Sequence, residues 1–348
     1  MEKSYSAKLC GLAALGLGLA LAAAPGPASA QEKTFNLKLS HWVPPSHPLQ
    51  KAIQDWADDI KKESNGTITY TIYPAQQLGK AFDHYDMAKD GIADFVYVNP
   101  GYQPGRFPII AAGELPFLVG KAKGGNRAID AWYRQYAASE MKDVHYCFSF
   151  VLDPLAWHST KKKILVPADI KGMKVRPAQG TIGAWVTQLG GTNVESSAPE
   201  VRDVLAKGVA DAVTFPWGSM FLFGIDKVTK YDMDEPLGSV MFQWLMSPAT
   251  YAAMSPAQRK IIDEHCTGEW AARFADPWAD FEHAGLEKMR NTPGHEVYKI
   301  SDEQLALWKQ SAEPLKQKWA DGVKKAGGDP DTIYKGLQDA LAQYHAGF

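Results

Sequence analysis

Apolar and polar residues alternate over Phe35–Ser40, the period of a half-buried strand. Residues 49–62 then switch to helical spacing, with Ile53, Trp56, Ala57 and Ile60 on one face. Asn65-Gly66 reads as a turn, and the β-branched run 67–73 as a second strand. Residues 81–89 repeat as a helix, with Gly91 past its end. Phe95–Val98 is a third strand, stopped by Asn99-Pro100-Gly101. The order βαβαβ predicts a parallel α/β sheet with its loops gathered beyond the strand ends.

The same alternation returns further on. Residues 173–176 form a short apolar run that ends on Arg176 and is cut by Pro177. A helix is predicted over 181–189, closed by Gly190-Gly191, then a strand over 192–196. Pro199 opens a helix that runs to Lys207, and residues 210–214 form a strand. Arg176 and Phe215-Pro216-Trp217 fall at two strand ends of a second parallel α/β lobe. One fixed cation beside aromatic surface suits an organic carboxylate.

Asp153-Pro154 is the expected crossover between the two lobes, and residues 242–253 return to the first. Ser255-Pro256 starts a helical pattern that continues to Arg290, with a kink expected at Pro277. Ser301 and Gln304 make a capping box for another helix. Gly327-Gly328-Asp329-Pro330 precedes a last one, and Trp308 and Trp319 are expected to pack in this layer.

Residues 1–30 read as a secretory signal peptide. Lys3 and Lys8 precede a sixteen-residue apolar stretch, and Ala28-Ser29-Ala30 is a cleavage site. Cys10 lies at the very start of that stretch rather than after it, so it is not placed as a lipoprotein cysteine. The mature chain from Gln31 exceeds the ~250–300 residues at which one core stops growing, so two lobes are expected. A formal charge of −2 gives no footing for nucleic acid or an anionic membrane surface. Cys147 and Cys266 are left after cleavage, and both a bond and two buried thiols stay open for them. Nucleophile elbow, phosphate loop, dinucleotide fingerprint, Cys-x-x-Cys and His-Glu-x-x-His patterns are all missing from the mature chain. The spacing of His41 and His47 does not suggest a metal site. Scattered Asp and Glu leave a carboxylate pair of the glycosidase kind open.

Gly172-Met-Lys-Val-Arg176-Pro177, the Gly190-Gly191 pair, Pro199-Glu-Val and Lys207-Gly-Val-Ala-Asp211 resemble the DctP-type substrate-binding proteins of TRAP transporters. Leu78-Gly79, Gly91-Ile-Ala-Asp94, Gly105-Arg-Phe-Pro108 and Glu114-Leu-Pro-Phe117 extend the resemblance through the first lobe. It implies a two-lobed α/β periplasmic binding protein with a long lobe-spanning helix and a ligand cleft between the lobes. Residues 31–154 with about 243–282 would form lobe I, and 155–242 with about 283–348 lobe II and the C-terminal helices. No cofactor is implied. The implied partners are a small organic carboxylate and the TRAP membrane subunits, with the receptor itself a monomer that closes about a hinge. A receptor of the same build that serves a sensor protein is the alternative partner reading.

In such receptors the arginine at this place clamps the ligand carboxylate, which assigns that role to Arg176. Trp42 and His47 after the first strand, Tyr97 and Asn99 around the end of the third, and Trp157 after the crossover are further candidates, with Phe215, Trp217 and Trp185. The family usually carries Gly-Gln-Glu-Asn-Pro after the aspartate, and that asparagine contacts the ligand. Here Ala-Val-Thr-Phe215-Pro216 follows Asp211. An aromatic ring in place of a polar contact, in a chain with 11 Trp, favours a monocarboxylate with an aromatic or bulky apolar body over dicarboxylates and sugar acids.

Overall fold

The alternating segment forms the strand β1 (Phe35–Ser40) in a computed structural model, whose described residues are 33–348. The proposed signal peptide lies outside the described residues. Helix α1 (Pro48–Glu63) packs the expected face, with Leu49, Ile53, Trp56, Ala57 and Ile60 all buried. β2 (Ile68–Tyr73) and β3 (Phe95–Val98) flank β1 and run parallel to it, with α2 (His84–Lys89) between them in sequence. α3 (Ala122–Glu140) and β4 (His145–Val151) follow.

The chain crosses at Asp153-Pro154 into a second sheet through β5 (Ala156–Ser159). β6 (Lys174–Arg176), α4 (Gly180–Gln188), β7 (Thr192–Asn193), α5 (Val201–Ala206), β8 (Ala212–Phe215), α6 (Trp217–Leu222) and β9 (Tyr231–Met233) build this lobe. β10 (Met241–Met246) returns to the first sheet. The first sheet has the order β2-β1-β3-β10-β4, with β10 antiparallel to both neighbours. The remaining elements are α7 (Pro248–Ala253), α8 (Pro256–Glu264), α9 (Gly268–Arg290), β11 (Glu296–Tyr298), α10 (Asp302–Lys325) and α11 (Pro330–Gln343). The second sheet is ordered β11-β9-β5-β8-β6-β7. It is mixed rather than wholly parallel, because β5 runs antiparallel to β8 and β9.

Two expectations need correction and one open alternative is decided. The helical pattern from Pro256 to Arg290 is two helices, because Thr267 caps a new one by accepting from the Trp270 N–H. α9 then runs through Pro277. The strand expected over 192–196 pairs only at Thr192–Asn193, since Ser196 turns its carbonyl to Arg176 instead. Cys147 and Cys266, left open above, are joined in a disulfide with Cα atoms 4.4 Å apart. That bond ties β4 to the end of α8.

α9 touches α1 and α3 on one side and α6 on the other, so it spans both lobes. The α9–α6 crossing needs glycine. A Cβ on Gly285 would come within 2.2 Å of the Gly218 nitrogen. α10 packs on α4 and α11 on α3, which closes the C-terminal layer over both lobes. Among the described residues no helix is long and apolar enough to cross a membrane.

Candidate functional site

The carboxyl ends of β1, β3, β6 and β8 converge on a narrow cavity between the lobes. Of the residues singled out from sequence, Trp42, His47, Asn99, Arg176 and Phe215 line it.

Arg176 ends β6 and is 1% exposed. Its Nε and Nη2 donate to the Ser196 carbonyl at 2.9 and 2.8 Å, and Nη2 also donates to the Tyr102 hydroxyl at 3.2 Å. Nη1 is buried without a protein partner. Burial lowers the guanidinium pKa, yet the group stays charged because its ordinary value is far above neutrality. A buried cation left without a counter-ion is strongly unfavourable, so the cavity is chemically suited to an anion. The Phe215 ring lies 5.9 Å from the guanidinium carbon and shields that charge from solvent.

Tyr102 completes the polar end. Its hydroxyl oxygen accepts from Arg176 Nη2 and from the Ala198 N–H at 2.9 Å. Both lone pairs are then engaged, so the hydroxyl proton is free to be donated. The polar end thus presents Arg176 Nη1 and a Tyr102 O–H. The Nε–Nη2 side of the guanidinium is already used by Ser196 and Tyr102.

The walls are aromatic. Trp42 stacks on Tyr97 with centroids 4.8 Å apart, and Phe242 lies 5.3 Å from Trp278. Trp42 Nε1 and the Tyr97 hydroxyl are buried without partners. His47 serves twice. Its Nδ1 accepts from the Leu49 N–H and so caps α1, which leaves the proton on Nε2, 3.4 Å from Ser219 Oγ. Burial lowers its pKa to about 3, so the ring is neutral at pH 7. Ser219 donates in turn to Glu282 on α9, whose pKa burial raises to about 7.

Several polar contacts cross between the lobes beside the cavity. Asn99 Nδ2 donates to the Ala178 carbonyl at 3.1 Å, which uses the amide as a tether. Thr181 donates to Glu114 at 3.0 Å. With Tyr102–Arg176, these bonds hold the lobes together over the site.

Four candidates lie elsewhere. Tyr97 is fully buried beneath Trp42 and supports the wall from behind. Trp157 and Trp185 belong to the core of the second lobe, where both pack against Trp308. Trp217 turns away from the cavity and packs edge-on against His158, 4.9 Å between centroids. Sequence reasoning missed Tyr102, Phe242 and Trp278. Tyr102 sits in a Gly/Pro-rich loop with no period, and Trp278 reads as one more apolar position on a helix.

Comparison with known proteins agrees with this architecture. Residues 39–322 match the DctP family model, described as bacterial extracellular solute-binding protein, family 7. A solute-binding protein of Albidiferax ferrireducens is 24% identical over 309 residues, 85% of this chain and 89% of that protein. A marine-metagenome TRAP solute-binding protein specific for aromatic acid ligands, solved with 3-hydroxybenzoate, is 31% identical. The alignment covers 90% of this chain and 99% of that one, with a TM-score of 0.83. A TRAP solute-binding protein from Rhodoferax ferrireducens, solved with copurified benzoate, is 28% identical over 89% and 98% of the two chains, also at 0.83. The fold is shared with a Sulfitobacter receptor holding β-D-galacturonate, at 18% identity over 87% of this chain and 100% of that one and a TM-score of 0.77. The chain belongs to the DctP family of bacterial extracellular solute-binding proteins, the periplasmic receptors of TRAP transport systems.

Proposed function

We propose that this receptor captures an aromatic or bulky apolar monocarboxylate by closing its two lobes, and delivers it to TRAP membrane subunits in the bacterial envelope. The observation that carries the reading is the unpaired Arg176 Nη1 at the end of a cavity walled by Trp42, Phe215, Phe242 and Trp278. The carboxylate would take Nη1 and the Tyr102 hydroxyl, and the rings would take the body of the ligand. Stacking adds about 0.5–1.5 kcal/mol per ring pair beyond area burial. A second carboxylate or a sugar hydroxyl against Phe215 would lose about 1–3 kcal/mol for each group left unpaired. The aromatic-acid ligands of the 28–31% identical receptors support the same choice.

Lobe I would comprise 31–154 with about 243–282, and lobe II 155–242 with about 283–348. Sheet membership supports this division for the strands. Export through a cleaved leader at residues 1–30 suits the disulfide, which needs an oxidising compartment. The reading is of a binding protein rather than an enzyme.

The test is a tryptophan fluorescence titration of the purified receptor. Benzoate, phenylacetate and cinnamate analogues should saturate the signal, and succinate, malate and glucuronate should not. Tight binding of a dicarboxylate or sugar acid with no response to aromatic acids overturns the ligand class.

A further inference from the structure

Away from the cleft, Asp59, Glu63 and His265 bring three donor atoms within 4.8 Å of one another. We propose that they form a divalent-cation site on the first lobe, suited to a borderline ion such as Zn²⁺. This inference does not depend on the transport reading.

His265 carries the argument. It occupies the break between α8 and α9 and is 2% exposed. Its Nδ1 lies 2.8 Å from the Ile261 carbonyl. A carbonyl only accepts, so Nδ1 holds the proton and Nε2 presents a lone pair. Metal-ligating imidazoles are commonly oriented this way, by a carbonyl on the far nitrogen. The ring is also held flat against Trp270, 4.9 Å between centroids. Nε2 is buried yet makes no hydrogen bond. Asp59 Oδ2 lies 3.5 Å from it, long for a hydrogen bond.

That separation fits a shared ion better. Tetrahedral bonds of ~2.0–2.1 Å put neighbouring donor atoms ~3.3 Å apart. The His265–Asp59 edge is therefore close to the required length. Glu63 lies one turn beyond Asp59 on the same face of α1 and is exposed, so its side chain is free to swing inward. Two carboxylates one turn apart repel each other until a cation lies between them. One imidazole with two carboxylates matches Zn²⁺, which tolerates mixed nitrogen and oxygen ligands, with a fourth position for water. Mg²⁺ demands octahedral oxygen ligation and is disfavoured by the imidazole. The bound ion would pin the last turn of α1 to the α8–α9 joint, next to the Cys147–Cys266 bond.

The experiment titrates ZnCl₂ into the chelator-treated full receptor by calorimetry, alongside thermal melts with ZnCl₂ or MgCl₂. The expected result is one saturable Zn²⁺ equivalent and a melting temperature raised by Zn²⁺ and not by Mg²⁺. Because His265 is buried, the paired surface change Asp59→Asn with Glu63→Gln carries the control. That variant should melt at the wild-type temperature without metal and lose the Zn²⁺ response. No saturable equivalent in the wild type, or an unchanged isotherm in the variant, overturns the site.

Discussion

Two aromatic assemblies in this protein pack about as closely and differ in chemistry. In the second lobe, Trp157, Trp185 and Trp308 pack with centroids 5.2–6.3 Å apart. There two of the three polar edges are spent: Trp185 donates to Ser311 and Trp308 to the Leu165 carbonyl, both at 3.1 Å. In the cleft, Trp42, Tyr97 and Phe242 pack as closely. Yet Trp42 Nε1 and Arg176 Nη1, on residues that line the cavity, have no protein partner. Leaving a buried donor unpaired costs about 1–3 kcal/mol. The tryptophans around Trp308 largely avoid that cost, whereas a binding site would keep it until ligand arrives. Polar satisfaction, and not aromatic content, separates the two regions.

The largest expected effect breaks the core. Trp185→Ala should destabilise the protein by about 3–5 kcal/mol, as removal of a buried Trp does. Ligand affinity, measured on the folded fraction, should stay near wild type. A large loss of affinity at unchanged stability would place Trp185 in the site after all.

The reverse pattern is expected at Arg176. Arg176→Ala leaves the ligand anion buried and unpaired, a loss of about 2–5 kcal/mol in binding. Stability without ligand should hold or rise, because an uncompensated buried cation is removed. Arg176→Lys should also bind poorly, since lysine cannot serve Ser196, Tyr102 and a carboxylate from one planar group. Titration calorimetry beside chemical denaturation reads both quantities. Affinity within threefold of wild type for either variant would remove Arg176 from the site.

These contrasts also mark how far the residues could be read before folding. The amphipathic period of α1 and the alternation of β1 are local, and both were legible. So was the position of Arg176, a lone cation at a strand end that lines the cavity. Whether a tryptophan lines a cavity or fills a core is decided by what faces it across the fold. Trp157 and Trp185 therefore looked as eligible as Trp42, and Trp278 looked like core. The disulfide was equally hidden, since 119 positions of separation carry no geometry. The break before α9 did leave a signal in Thr267, a capping residue inside a run of helical spacing.

Tyr102 sharpens the comparison at lower cost. Tyr102→Phe keeps the ring and removes the oxygen that joins Arg176 Nη2 to the Ala198 N–H. A loss of about 1–3 kcal/mol in affinity is expected, as for one buried hydrogen-bonding group. If melting temperature falls while affinity for aromatic acids is unchanged, the hydroxyl serves only to join the lobes.

The shallowest effect is in pH, at most about 1.4 kcal/mol per pH unit for one group. Glu114 is buried at the contact between the lobes, with Oε1 unpartnered and Oε2 held by Thr181. Burial raises its pKa from 4.5 to about 8. An acid whose pKa is raised on folding stabilises the fold below its unfolded value, and that stability is lost as pH climbs through the folded one. Glu114 thus weakens the protein progressively between about pH 4.5 and 8, and Glu282, raised to about 7, acts in the same direction. The first-lobe histidines act oppositely. Burial lowers His41 and His84 to about 4 and His47 to about 3, so their contribution is complete above about 6.5 and is lost as pH falls. Melting temperature should therefore pass through a maximum in mildly acidic solution. Glu114→Gln should flatten the alkaline limb, leave the acid limb in place and keep part of the slope that belongs to Glu282. An alkaline limb that is unchanged in Glu114→Gln would show that this carboxyl is already ionised in the folded protein, and that its free oxygen is hydrated rather than dry.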